Sequence, residues 1–335
     1  MPPSLATLNL KSWNRFRTPN LSVCTELLGR SHTFIYEGRR ITVKLPRAPA
    51  GKKDESSDRL SLVSWRPNGE DIIPLQYNIY SVDVSIDIDE EFRLPPEILT
   101  RNPNALDLLT TEQSTSLDRC TDESHFLSLR AFDFWTRMMR WQTEQHLIGR
   151  DDPNSPLTGM ATYLVDKQSG KEVWIGTHRM TLHMSPEISE DVWCATQSLL
   201  SEVDRIPVSV DLYFDALYHL HIGDLKRAIS DAAVAAESHV RAVVQEAMPD
   251  GAGPELRRLV DEANIRPIIE RVYGEALSLA DSPGKFEIPS GIHKLFDYRN
   301  KVLHKGAVEG LTEDRCRKLI ASVRELLWRK GAPVT

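Results

Sequence analysis

Near residue 185 the apolar residues of this chain change from a two-residue period to one of three and four residues. The two halves must therefore be built from different elements, strands first and helices after. In the first half, Ser81-Val82-Asp83-Val84-Ser85-Ile86-Asp87-Ile88 alternates polar and apolar without a break, as a half-buried strand does. Thr33 to Tyr36 and Ile41 to Leu45, joined by Glu37-Gly38-Arg39-Arg40, predict a hairpin. Ala161 to Val165 and Glu172 to Ile175 predict another. Pro46 to Arg59 and Leu94 to Asp122 are rich in Pro, Ser, Asn and charge and read as loops or insertions. Leu127, Ala131, Phe134, Met138 and Trp141 fit a helical face, while Phe132 and Phe134 also fit a strand. That aromatic run reads as core rather than as a surface for stacking bases.

Beyond residue 185 the pattern is helical. Ser189 to Val203 predicts a connecting helix ending at Ile206-Pro207, and Asp211 to His221 a further helix closed by Gly223-Asp224. Leu225, Ala228, Ile229, Ala232, Ala233, Ala236, Val240, Val243 and Val244 form one apolar stripe. Glu255 to Ala263 and Pro267 to Leu279 are two more helices. Ser290 is placed to cap a helix closed by Gly306. Thr312 opens the last one, with the stripe Cys316, Leu319, Ile320, Val323, Leu326 and Leu327. The expected fold class is α+β and multidomain: a mostly β N-terminal domain over 1–186, a connecting helix and linker over 187–206, and an all-α bundle over 207–331.

Composition narrows function. The chain has 335 residues with 41 basic and 48 acidic side chains, a net charge of -7, so any nucleic-acid contact must come from a local basic patch. Apolar stretches fall short of the roughly 18 residues of a membrane span. The opening Met1-Pro2-Pro3-Ser4-Leu5 lacks the basic leader and apolar run of a signal peptide. Cys24, Cys120, Cys194 and Cys316 are scattered, which predicts free thiols and a cytoplasmic setting. Phosphate-cradling glycine loops, H-E-x-x-H and G-x-S-x-G are all missing, so neither a cofactor nor a metal is expected. His178 and His183, and His219 and His221, are spaced to diverge and read as structural or exposed rather than as ligands.

One segment carries chemistry: Leu295-Phe296-Asp297-Tyr298-Arg299-Asn300-Lys301-Val302-Leu303-His304-Lys305-Gly306. An R-x4-H spacing alone is weak, with about 0.8 matches expected by chance in a chain of this composition. Its setting matters more. On a helix Asn300 and His304 lie within about 40° of each other, and Arg299 about 140° from His304 with a side chain long enough to curl back. Lys294, Arg299, Lys301 and Lys305 outnumber the single acid Asp297, which suits a phosphodiester.

The motif resembles the R-[polar]-x3-H signature of HEPN domains, small all-α domains of prokaryotic toxins, defence systems and RNA-processing factors. Arg299, the polar Asn300 and His304 all match it. The stretch Tyr213 to Val244, a short helix, Gly223-Asp224 and an alanine-rich helix with Glu237, is similar to the opening helices of such domains. The resemblance covers about residues 207 to 331 and none of residues 1 to 185. It implies a metal-independent endoribonuclease whose site forms across a homodimer of the helical domain, with RNA as substrate and an antitoxin or trigger ligand as partner. His304 would act as general base or acid, since an imidazole ordinarily titrates at about pH 6.5. Arg299 would hold the scissile phosphate and stabilise the transition state, and Asn300 would orient the histidine or a phosphate oxygen. Lys294, Lys301 and Lys305 would bind the RNA backbone. Glu237, about 80° from Ile229 on the helical wheel, would pair with Arg299 or stay solvated at the stripe's edge.

Two other classes fit the same sequence. One is a non-catalytic module that binds RNA or a nucleotide or dimerises to present the N-terminal domain. The other makes the N-terminal domain the recognition element and the bundle its dimer handle.

Overall fold

A computed structural model describes residues 5–48, 59–68, 71–95, 108–151, 161–165, 172–177, 185–249, 253–279, 288–305 and 310–328. The chain divides into two compact units, one of Met1–Asp151 with Ser155–Asp204, the other of Arg205–Thr335 with Asp152–Asn154. The architecture is α+β, an antiparallel sheet followed by helices.

The first unit is organised by two long strands, β1 (Ala6–Cys24) and β5 (Asp71–Leu94), paired antiparallel. Between them in sequence come β2 (Ser31–Tyr36), β3 (Arg39–Lys44) and β4 (Leu60–Asn68). The sheet order is β1-β5-β3-β2, and β4 shares the β3 side of β5 further along the strand. The β2–β3 hairpin turns on Glu37 (φ 48°) and Gly38 (φ 76°), the paired positive φ that matches the strands' twist. Helix α1 (Thr111–Thr143) lies against this sheet: Phe16 stacks on Phe132 at 4.8 Å, and Phe134 meets Tyr36 at 5.1 Å. A second hairpin, β6 (Ala161–Val165) and β7 (Glu172–Thr177), forms where the sequence predicts it.

Helix α1 corrects the sequence reading twice. The stretch Leu94 to Asp122, expected as a loop, becomes helical from Thr111. The ambiguous run Phe132 to Trp141 is helix throughout. The first three turns of α1 are polar and mostly exposed, so they show no apolar period. They are started by a capping box, in which Thr110 accepts from the Gln113 amide and Gln113 accepts from the Thr110 amide. Residues 187–206, expected as a connector, supply α2 (Glu190–Glu202) to the first unit, capped by Ser189. Gln197 on α2 exchanges hydrogen bonds with the backbone of Thr33 (2.9 and 2.8 Å), satisfying the open edge of β2.

The second unit is helical: α3 (Val208–His221), α4 (Leu225–Glu246), α5 (Pro254–Glu262), α6 (Ile265–Pro267), a π-helical turn (Ile268–Val272), α7 (Tyr273–Leu279), α8 (Gly291–Lys305) and α9 (Glu313–Leu327). Helix α4 is its axis, touching α3, α5, α7, α8 and α9. Its alanines let neighbours approach closely, and Ala228, Ile229, Ala232, Ala233, Ala236 and Val240 are buried as the stripe predicts. The predicted α9 stripe from Cys316 to Leu327 is buried as well, under an N-cap supplied by Thr312. Gly223, at φ 81°, makes the break between α3 and α4. The four cysteines are free, and no described helix is long and apolar enough to cross a membrane.

Candidate functional site

Helix α8 carries the motif, and its two flanks face different clefts. On one flank Arg299 and Asn300 line a cavity of about 590 Å³ together with Glu237 and Arg241 of α4 and the segment from Asp261 to Arg266. Three arginines and four carboxylates meet there, and their pairing decides what remains available. Arg241 donates to Glu237 Oε1 through Nε (3.1 Å) and a terminal nitrogen (2.7 Å), and to the carbonyls of Val260 and Ala263. Arg266 is paired with Asp297. Asp261 accepts from the Gln245 amide, and Arg258 lies 3.8 Å from Glu262. Arg299 donates to Asn300 Oδ1 at 3.3 Å and, among the described residues, has no carboxylate partner.

Of the two expectations for Glu237, a pairing with Arg299 or a solvated place at the stripe's edge, the first is replaced by a pairing with Arg241. Four residues apart on one helix, these two side chains are neighbours by geometry, and Arg241 is the nearer cation. Glu237 still shares the cavity with Arg299, and through Arg241 it fastens α4 to the end of α5.

His304 stands one helical turn beyond Asn300, exposed and outside the residues that line this cavity. Within one chain His304 does not line the cavity that Arg299 enters, and Arg299 does not curl back across the roughly 140° between them to share one.

The other flank of α8 carries Lys294 and Lys301. Lys294 and Lys301 line a cleft of about 530 Å³ with Tyr298 and with Arg315 and Lys318 of α9. The Lys301 ammonium lies 5.4 Å from the Tyr298 ring centre and the Arg315 guanidinium 5.9 Å, while Arg315 donates to the Tyr298 hydroxyl at 2.7 Å. Among the described residues Asp297 is the one acid lining this cleft, and Arg266 already engages it. Gly291 permits the close approach of α8 to α9, because a Cβ there would lie 2.8 Å from that of Ser322. The side chain of Lys305, the last residue of α8, lies outside the described residues.

Sequence reasoning missed Arg241, Arg266, Tyr298, Arg315 and Lys318. The Glu237/Arg241 spacing was a usable signal. The α9 cations were not, because only the packing of α9 on α8 brings them in. His219, expected to be structural or exposed, lies 3.6 Å from Asp231; burial lowers the histidine's pKa and raises that of the carboxyl. His178 and His183 lie outside the described residues. Among those residues no group of three or more His, Cys, Asp or Glu is placed to hold a metal ion. No family model, no curated protein and no solved structure matches this chain.

Proposed function

We propose that this chain is a HEPN-type endoribonuclease that cleaves RNA without a metal, as a dimer of its helical unit, in the role of a prokaryotic toxin or defence effector. One observation carries the reading. Arg299 lines a polar cavity in which every neighbouring arginine is taken by a carboxylate, and among the described residues it alone has none. A guanidinium kept unneutralised beside paired ones is suited to a phosphate.

The exposed position of His304, one turn away, fits a site completed by a second copy of α8. In that arrangement one imidazole takes the proton of the ribose 2′-hydroxyl as the O2′–P bond forms. The P–O5′ bond breaks, and the imidazolium of the other copy protonates the leaving 5′-oxygen. Arg299 stabilises the extra negative charge on the phosphoryl oxygens, and the products are a 2′,3′-cyclic phosphate and a 5′-hydroxyl. The cleft of Lys294, Lys301, Arg315 and Lys318 serves the flanking backbone, with Tyr298 between them.

The test is incubation of end-labelled RNA with the parent protein and its His304→Ala variant in excess EDTA. The parent leaves cyclic phosphate ends and the variant is at least about 100-fold slower. Equal cleavage by both removes His304 from the mechanism. The separation of Arg299 from His304 within one chain favours a second reading, a non-catalytic RNA-binding module. That reading gains if the parent binds RNA through Lys294 and Lys301 and cleaves nothing.

A further inference from the structure

We infer that the solvent face of the first unit's sheet is a second binding site, which takes a single strand of nucleic acid, with a base stacked on Trp13 and phosphates held by Lys11, Lys44 and Arg47. The strand alternation of β1 puts Ser12, Asn14 and Phe16 toward α1, where Phe16 stacks on Phe132 and Asn14 donates to Ser128. The alternate set, Lys11, Trp13 and Arg15, therefore points away from the helix. Register adds the neighbours: Trp13 pairs with Ser85 and Arg15 with Asp83 on β5, and Thr42 and Lys44 of β3 pair with the same two residues from the other side. The result is a cleft of about 820 Å³ whose lining includes Arg47 and Arg59 as well.

Its charge is the reverse of the chain's. Among the described residues, five cationic side chains line it against one carboxylate, in a protein of net charge -7. That carboxylate, Asp83, is taken twice: Arg15 donates to it at 3.1 Å and Arg59 at 2.9 Å through both terminal nitrogens. Lys11, Lys44 and Arg47 have no carboxylate partner among the described residues. A ligand here must be anionic.

Trp13 says what else it must be. The Arg15 guanidinium lies 5.0 Å from the indole centre, yet the residue is 57% exposed, so the ring is held by a cation and open to a further stacking partner. A flat ring beside unpaired cations on a sheet is the chemistry that stacks bases and tracks a sugar–phosphate backbone. An acidic peptide would use the lysines and leave the indole idle.

The test uses the full chain carrying His304→Ala, so that the probe survives, with Lys294→Glu and Lys301→Glu, so that the helical unit's cleft does not compete for it, and a labelled oligouridylate of about 12 nucleotides read by fluorescence anisotropy. Binding is expected to weaken about 10-fold in Trp13→Ala, and its logarithmic salt slope of about -2 to shrink by about 0.7 in Lys44→Glu. Trp65→Ala, which removes an exposed indole of β4 that does not line the cleft, leaves affinity unchanged. The proposal is overturned if adding Trp13→Ala leaves binding like that of this parent, even where Lys44→Glu weakens it (an unselective anion site). Absence of binding at low salt overturns it too. Cleavage plays no part in this readout, so the site and the nuclease reading fail separately.

Discussion

Among the described residues, each unit buries one histidine in its core, and the two are held in opposite ways. His32 in β2 has both ring nitrogens engaged. Trp135 Nε1 of α1 donates to Nδ1 at 2.9 Å, Nε2 lies 2.9 Å from the Trp193 carbonyl of α2, and its ring stacks on Trp193 at 3.6 Å. This contact fixes the neutral tautomer with the proton on Nε2, and it ties strand and both helices at one point. His239 in α4 has Nε2 buried without a hydrogen-bond partner among the described residues, beside the edge of Tyr273 at 6.3 Å. The sheet unit uses a polar group to fix the register of its layers. The bundle is held by apolar packing, the alanines and valines of α4 against larger side chains such as Phe214, Leu295, Phe296 and Ile320, and carries its histidine as a passenger.

The sharpest way to break this comparison is to make both residues leucine. His32→Leu leaves the Trp135 indole N–H buried without an acceptor and should cost about 3 kcal/mol. For a unit of this size that is a fall of roughly 6 to 12 °C in melting temperature. His239→Leu removes an unsatisfied polar atom and should stay within about 1 kcal/mol of the parent, on either side. Peptide-resolved hydrogen exchange in denaturant reads the two units separately. Equal losses would mean that the Trp135–His32–Trp193 contacts contribute no more than packing.

Acidity sharpens the same contrast. Burial pushes both histidines down to about 4, opposed at His32 by its hydrogen bond to the Trp193 carbonyl. A folded-state pKa below the unfolded one means that unfolding takes up a proton. Stability is therefore complete above about pH 6.5 and lost as pH falls toward 4, by about 2 kcal/mol per histidine at pH 5. His239→Leu should flatten that loss in the helical unit and leave the sheet unit's acid response intact. Denaturant midpoints between pH 7.5 and 5 (about) measure it.

A third contrast concerns close packing. Position 291 lies in the first turn of α8, where Gly→Ala ordinarily helps a helix by up to about 1 kcal/mol. Here the added Cβ meets Ser322, so Gly291→Ala should destabilise the bundle by about 1–2 kcal/mol, and Ser322→Gly in the same chain should return most of the loss. An uncoupled pair in denaturant titrations would show that α8 and α9 can spread without cost.

How much of this was legible follows from where the signal lay. The α4 and α9 stripes and the β2–β3 hairpin are periodic patterns with turn residues at the right offsets, and they need nothing from tertiary structure. The candidate site was half legible. Arg299, Asn300 and His304 are one helix apart from nothing else, but the same 100° arithmetic places Lys301 on the opposite flank from Arg299, which splits the basic cluster in two. Arg315 and Lys318 join Lys294 only because α9 packs on α8, and no local pattern announces that. On β1, Lys11-Ser12-Trp13-Asn14-Arg15 is an alternation with charge outside, legible once its partner strand is known.

The start of α1 was missed for a different reason, and it yields the smallest prediction. Thr110 and Thr312 are both threonine N-caps whose hydroxyl accepts from the third helical amide, and removing such a hydroxyl ordinarily costs about 1 kcal/mol. The helices behind them differ. In α9 the fourth residue, Cys316, is already fully buried, so fraying its first turn unpacks the bundle and Thr312→Ala should show the whole cost. In α1 the first buried residue is Ser124, more than three turns in, so a frayed start loses no core. Thr110→Ala should therefore change global stability by less than about 0.5 kcal/mol while raising hydrogen exchange over residues 111–120. A full 1 kcal/mol loss at Thr110 would mean that the polar turns of α1 are coupled to the sheet, through the bond from Gln113 to the Arg93 carbonyl at 2.7 Å.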